Sequence, residues 1–381
     1  MQINYGKQDI SDEDIQVVVE TLKSDFLTTG PMVSTFEEEF AKYVGAKHAV
    51  AVCNGTAALH LVNLVLKKTD KNLNILTTPV TFAATSNATI YTGGDVEFVD
   101  IDPSNFCIDI KKLEHKLNSS TVGAYDGISV VHMGGYPLNI EEVGRVAKKH
   151  NLFVIEDACH ALGAYHKRDN KIDMVGSCSH SDVTCFSFHP VKHLTTGEGG
   201  MITTNDSDLY EKLKLMRSHG MTKDHSVIGD RPGWYYDIPE LGYNYRIPDI
   251  NCALGISQLK RIEENVQRRN VIAKRYLQEL DGLPVSFQAC SADNRNAYHL
   301  FIILAERRDE LYTFLRETGI FSQVHYTPVN DLSFYKKKYG ELNLPIAKGY
   351  IEKTLSIPMF QSMTDDEQSY VISKIREFYG K

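Results

Sequence analysis

A chain of 381 residues, 42% hydrophobic and 24% charged, carries enough apolar material for a large core, and its length predicts two domains. Its 41 basic and 49 acidic side chains leave a net charge of −8, which excludes a broad nucleic-acid surface but allows a local basic patch for one phosphorylated ligand. Seven scattered cysteines without a CxxC pair exclude a disulfide framework and a zinc ribbon.

No apolar run nears the ~18 residues of a membrane span, and the polar start MQINYGKQDISDEDIQ lacks a secretory core, so a cytoplasmic location is expected. In chain order, strand-like runs begin at His48 (HAVAVC), Asn74 (NILTT), Asp95 (DVEFVD), Gly127 (GISVVHM), Leu152 (LFVIED), Val183 (VTCFSFH) and Gly199 (GGMITTN). Helical patterns lie between them. Across residues 56–66, Ala57, Leu61 and Val65 recur at four-residue spacing beside Ala58, Val62 and Leu66, the broad apolar face of a helix buried on a sheet. Residues 139–150 and 207–219 are more amphipathic. Strands separated by helices of this length predict an α/β domain with a mostly parallel sheet, and ligands there bind beyond the carboxyl ends of the strands.

The pattern changes after Pro248. Residues 249–280 read as nearly continuous helix up to the Gly282–Pro284 break. A strand-like YHLFIILA, a helix DELYTFLRE, a strand-like FSQVHY and a final helix from Thr364 follow. The expectation is a large α/β domain over residues 1–248, with a connecting helix and a smaller α+β domain over 249–381.

Several signatures are missing. There is no GxGxxG after the first strand, no GxxxxGK[ST] and no GxSxG, which disfavours a nicotinamide Rossmann enzyme, a P-loop nucleotidase and an α/β-hydrolase. His189 and His193 are four apart, but Pro190 between them opposes the regular helix a metal pair would need, so no metal is expected.

Three other segments carry chemistry. Asn54-Gly55-Thr56-Ala57-Ala58 follows a strand and opens a helix, where small residues and free N–H groups suit a phosphate; Asn-Gly is equally a common turn. Glu156-Asp157-Ala158-Cys159-His160 ends a strand in two carboxylates, of which alternation lets one face a site. That carboxylate could hold a cationic ligand nitrogen or simply cap the next segment. Phe186 to Gly200 places Lys192 in a loop among small residues; burial there would favour its neutral, nucleophilic form, and lysine amines form Schiff bases with carbonyl cofactors. A phosphate cup, an anion for a pyridinium nitrogen and an amine for an aldehyde are together what pyridoxal 5'-phosphate requires.

With these segments in place, the sequence resembles the DegT-type sugar-nucleotide aminotransferases, a branch of the fold-type-I pyridoxal phosphate enzymes, over essentially its whole length. The resemblance also takes in Tyr5-Gly6-Lys7-Gln8, Leu27-Thr28-Thr29-Gly30-Pro31, Pro79-Val80-Thr81-Phe82, Arg217-Ser218-His219-Gly220, Gly242-Tyr243-Asn244-Tyr245-Arg246 and His325-Tyr326-Thr327-Pro328. It implies that Lys192 anchors the cofactor and moves protons, and that Asp157 pairs with the ring nitrogen. It implies further that Phe82 stacks on the ring, that His160 stands by the phenolic oxygen where many relatives have Gln, and that Thr56, Ala57 and Ser187 hold the phosphate. Asn244 would reach the phosphate of a neighbouring subunit, implying a homodimer with shared sites. Tyr5, Leu27, Thr28, Thr29, Gly30, His325, Tyr326, Thr327 and Pro328 would contact the nucleotide-sugar substrate.

Trp234-Tyr235-Tyr236 ahead of residues 240–246 is similar to the transaminases of the pseudaminic acid pathway. Those enzymes aminate a UDP-linked 4-keto-6-deoxy-N-acetylaminosugar at C4, with glutamate as donor, on the way to a surface sugar. A GDP- or dTDP-linked keto sugar is the alternative substrate. Related 3-dehydratases carry His at the lysine position, and the Ser187-to-Lys192 spacing speaks against them. A non-catalytic pyridoxal phosphate-binding regulator is a further alternative, as is a scaffold, which would leave the three segments unexplained.

Overall fold

Runs rich in Val and Ile, separated by helices, have two apolar faces to cover, and packing them side by side leaves only the outermost backbones unpaired. The computed structural model describes residues 1–67, 71–168, 171–290 and 293–380. In it the seven expected runs form one sheet: β1 (His48–Val52), β2 (Asn74–Thr77), β3 (Asp95–Phe98), β4 (Gly127–Val131), β5 (Phe153–Asp157), β6 (Val183–Ser187) and β7 (Gly200–Thr204). Their order is β1-β7-β6-β5-β4-β2-β3. Neighbours from β3 through β6 pair in parallel, whereas β7 runs antiparallel to both β6 and β1. The exception has a local cause: residues 188–199 between β6 and β7 contain no helix, so the chain turns straight back on itself.

Both faces are buried. Ala58, Leu61, Val62 and Val65 of the Gly55–Leu66 helix pack with Ile155, Cys185 and Ile202 on one side. On the other, Leu113 from the Ile110–Ser119 helix and Val143 and Val146 from the Ile140–His150 helix pack with Val130 and Val154. Alternation along β5 therefore sends Ile155 and Asp157 to the first face and Val154 and Glu156 to the second.

The helix expected over 249–280 is two helices, Asp249–Leu259 and Ile262–Glu279. At the break, Lys260 and Arg261 donate three residues back, to Ser257 and Gln258, and the Arg261 guanidinium reaches Asp14 at 2.5 Å and Asp9 at 3.1 Å. Two carboxylates from the start of the chain thus hold the side chain at the bend. The first of these helices lies close to the Pro31–Val44 helix because Gly255 carries no side chain; a Cβ there would sit 2.6 Å from the Phe36 ring.

Beyond them, Val285–Phe287, Phe301–Ala305 and Thr354–Ile357 form an antiparallel sheet whose core includes Leu311, Leu315, Val371 and Ile375 from the Arg308–Glu317 and Asp365–Phe378 helices. Thr364 caps the last helix with a capping box closed by Glu367. The strand-like run at 321–326 is strand only at Ile320–Phe321, which pairs in parallel with Ile3–Asn4 and carries the first residues of the chain onto this half. Among the described residues no helix is long and apolar enough to cross a membrane.

Candidate active site

The loops leaving β1, β5 and β6 meet at a cavity of about 610 Å³, closed from the far side by residues 323–326 and His299. Each wall has a local reason for its shape.

After β1, Asn54 caps the Gly55–Leu66 helix by accepting the Ala57 N–H at 2.8 Å, and its carbonyl accepts from Ala58. The helix gives the Gly55 and Thr56 amides no acceptor of its own, and both residues line the cavity. Gly55 is required here, since a Cβ would meet the Ser187 Cβ at 2.9 Å and the Cys159 sulfur at 3.3 Å. Ser187, at the end of β6, faces the same space.

After β5, buried Asp157 accepts from the Thr85 hydroxyl at 2.6 Å and from the Cys159 N–H at 3.1 Å. These two donors fix the carboxylate plane at the cavity floor. Three residues on, His160 lies 3.1 Å from the Tyr326 hydroxyl and receives the Gly134 N–H at 3.4 Å. Burial, with Lys192 adding to it, pushes the His160 imidazole well below its ordinary value. Burial likewise lifts the Tyr326 phenol and the Cys159 thiol well above theirs.

Lys192 sits in the β6–β7 loop, which is pinned at its base. Phe188 donates to Gly199 at 2.8 Å and accepts from Thr196 at 3.0 Å, while its ring is buried against Phe36 and Phe40. Lys192 N donates to His189 O at 2.9 Å, closing the turn that presents the side chain. Burial lowers the amine below its usual range, and Asp157 offsets part of that shift. The result is an amine more readily neutral than a surface lysine, set beside a carboxylate.

Of the residues singled out in the sequence, Tyr5, Thr56, Phe82, Asp157, His160, Ser187, Lys192, His325 and Tyr326 line this one cavity. Phe82 is 60% exposed, 6.0 Å from the Tyr326 ring, so its face remains open to a planar ligand. Tyr5 packs against His325 at 5.1 Å. Ala57 is buried one residue behind the wall. Thr327 is exposed and Pro328 buried as the chain turns away, with Val329 N bonded to Pro79 O.

The structure places the others elsewhere. Leu27 to Gly30 run beside residues 248–249: Leu27 O accepts Asp249 N, Thr28 bridges Pro248, and Gly30 N donates to the Asp249 carboxylate at 2.8 Å. Thr29 and Gly30 line a separate 280 Å³ cavity with Lys214, Arg217 and Arg246. Asn244 is exposed, bridged to Ser218, and outside both cavities.

Sequence reasoning missed Thr85, Gln323 and His299. Thr85 follows Thr81 at helical spacing and carried a usable signal. His299, inside an otherwise apolar run, read as strand filler, and nothing local marks Gln323.

The sequence matches the DegT/DnrJ/EryC1/StrS aminotransferase family over residues 8–376. It is 41% identical over 377 residues to a UDP-4-amino-4,6-dideoxy-N-acetyl-beta-L-altrosamine transaminase of Campylobacter jejuni, covering 97% of this chain and 95% of that protein. The fold is similar to Helicobacter pylori PseC, an aminotransferase involved in the biosynthesis of pseudoaminic acid, with a TM-score of 0.91, 29% identity and full coverage of both chains. It is also similar to a putative sugar aminotransferase of Streptococcus pneumoniae in its PLP-form, with a TM-score of 0.89 and 27% identity over 100% of this chain and 99% of that one.

Proposed function

The chain belongs to the DegT/DnrJ/EryC1/StrS aminotransferase family, and from that premise we propose that it transfers an amino group from glutamate to C4 of a UDP-linked 4-keto-6-deoxy-N-acetylaminosugar, using pyridoxal phosphate. The observation that carries the proposal is the convergence of Lys192, Asp157 and the Gly55–Thr56 amides on one cavity. The activity for which the Campylobacter jejuni relative is named supports the choice of sugar.

The residues present fit the cofactor by their own chemistry. The amides that start the Gly55–Leu66 helix, with Thr56 and Ser187, form a cup that a Cβ at Gly55 would fill. Asp157 is an oriented anion at the floor, Phe82 an open aromatic face and Lys192 an amine with a lowered proton affinity. When bound, pyridoxal phosphate supplies an aldehyde that takes up the amino group and a ring that accepts electrons.

Within this reading Lys192 would hold the cofactor through its amine, and the same amine would take a proton from Cα of the amino donor and deliver one to C4 of the sugar. Asp157, fixed by Thr85 and the Cys159 amide, holds a proton on the ring nitrogen. His160 and Tyr326 form a hydrogen-bonded pair at the cavity wall beside the reacting groups. Tyr5 and His325, which line the cavity, are read as contacting the sugar, and Phe82 as excluding water from one ring face. Asn244, exposed and outside the cavity of its own chain, is read as serving the phosphate site of a second subunit. Residues 1–248 are read as the cofactor domain and 249–381 as the connecting helices and small domain of a cytoplasmic homodimer.

The test is a panel of UDP-, GDP- and dTDP-linked keto sugars with glutamate, followed by mass detection of the aminated product. Glutamate-dependent gain of an amine on the UDP sugar is expected. A preference for a GDP or dTDP sugar would replace the substrate while keeping the reaction, and no amination of any sugar would favour a regulator.

A further inference from the structure

Lys192 Nζ forms a hydrogen bond with His299 Nε2 at 3.3 Å. His299 enters the site from the other half of the chain, on the backbone leading into the Phe301–Ala305 strand, and it is buried. Its neighbourhood is built to hold it. Leu300 N donates to Gly134 O, and Arg269 donates to the carbonyls of Tyr298 at 3.0 Å and His299 at 3.4 Å. Arg269 is itself fully buried and tied to Met359 O and Gln361 Oε1. The His160 ring leans on His299 at 4.5 Å.

Among the described residues the other ring nitrogen of His299, Nδ1, is buried with no hydrogen-bond partner. Packing alone does not explain such an atom, because a phenylalanine would fill similar space without an orphaned polar group. The polar ring is explained by its other nitrogen. A lysine amine has an N–H to give in either charge state, whereas its lone pair is the reactive part. If Nε2 accepts, the proton of the ring is on Nδ1, and the lone pair of the neutral amine is left for the cavity. Burial keeps the imidazole well below its ordinary value, with Lys192, His160, His193 and Arg269 adding to the effect, so the ring is neutral and one of its two nitrogens is an acceptor.

We propose that His299 is a positioning residue for the amine chemistry: its Nε2 takes one N–H of Lys192 and turns the amine's lone pair toward the cavity. This rests on the reading of Lys192 as the working amine. The groups facing that amine are Asp157, which favours its charged form, Arg269, which opposes it, and the neutral Cys159, His160, His193 and His325.

The test compares His299→Phe with His299→Gln in the full-length chain. In cofactor-free protein, the pH midpoint of Lys192 acylation is read by peptide mass spectrometry; in the loaded enzyme, kcat and KM for glutamate are measured. The Phe variant should lower the midpoint by about half a pH unit, because a charged donor loses more than a neutral one when its acceptor is removed. It should reduce kcat about tenfold with KM changed less than about twofold. Gln, whose amide oxygen reaches the position of Nε2, should recover most of both. An unmoved midpoint, or a Gln variant no better than Phe, overturns the proposal; His299→Leu replaces a Phe variant that fails to fold and is read the same way. A moved midpoint with unchanged kcat overturns the positioning role alone, and Lys192→Ala tests the working amine separately.

Discussion

Glu156 and Asp157 are chemically similar neighbours on one strand, yet they work on opposite faces of the sheet. Asp157 looks toward the Gly55–Leu66 and Ala84–Tyr91 helices, where two donors hold it and it also borders the open cavity. Glu156 looks the other way and is sealed. It accepts from His132 at 2.8 Å, Thr184 at 3.0 Å and the Ser181 hydroxyl, and His132 is oriented in turn by the Leu138 N–H at 3.0 Å. Burial alone would raise the Glu156 carboxyl, but those donors outweigh it and hold the group below its ordinary value. The pair shows how a buried charge is used in two ways. One carboxylate has its hydrogen bonds satisfied internally and fastens loops together, while the other keeps capacity for something that enters.

The sharpest break in that comparison comes from the amine on the open face. Lys192→Ala should cost at least about 10³-fold in turnover, as expected for a covalent and proton-carrying group, while the thermal midpoint stays close to that of the parent chain. Retained turnover would remove the open face from the chemistry altogether.

The two carboxylates themselves come next. Asp157→Asn, which keeps an oxygen for the Cys159 N–H and turns its amide toward the Thr85 hydroxyl, should lower turnover about 10²-fold with little change in the denaturation midpoint. Glu156→Gln should do the reverse, costing about 2 kcal/mol of stability because one buried donor loses its acceptor, with turnover per folded molecule within about threefold of the parent. Equal effects of the two substitutions on stability would erase the distinction between the faces.

The smallest effect is a pH dependence. Because the Glu156 carboxyl is held below 4.5 in the folded chain, its contribution to stability is present at neutral pH and drains away as pH falls below that value. The stability gap between the parent and Glu156→Gln should therefore narrow in denaturation series run from pH 7 downward. A gap that widened in acid would contradict the three-donor arrangement.

Local pattern was enough for much of this. The β-branched runs are the seven strands, because a strand buried on both faces needs apolar side chains at nearly every position, and that can be read without knowing its partners. Asn54-Gly55-Thr56 and the Lys192 loop stood out because a helix cap and a glycine-rich turn are local chemistry. The break at Lys260–Arg261 was not legible, since it depends on Asp9 and Asp14 about 250 residues earlier.

Length and charge set the limits of that reading. The 381 residues and the −8 balance fixed a large-core chain with no broad basic face, and alternation along β5 said that only one of its two terminal carboxylates could face a given site. Which one did so was decided by packing, through the helices that cover each face. The same holds for His299: inside an apolar run its polarity looked incidental, and only the docking of the C-terminal sheet brings its Nε2 to the amine of Lys192. A sequence carries the propensities of each segment, but a hydrogen bond between residues 107 positions apart exists only once the intervening chain has folded.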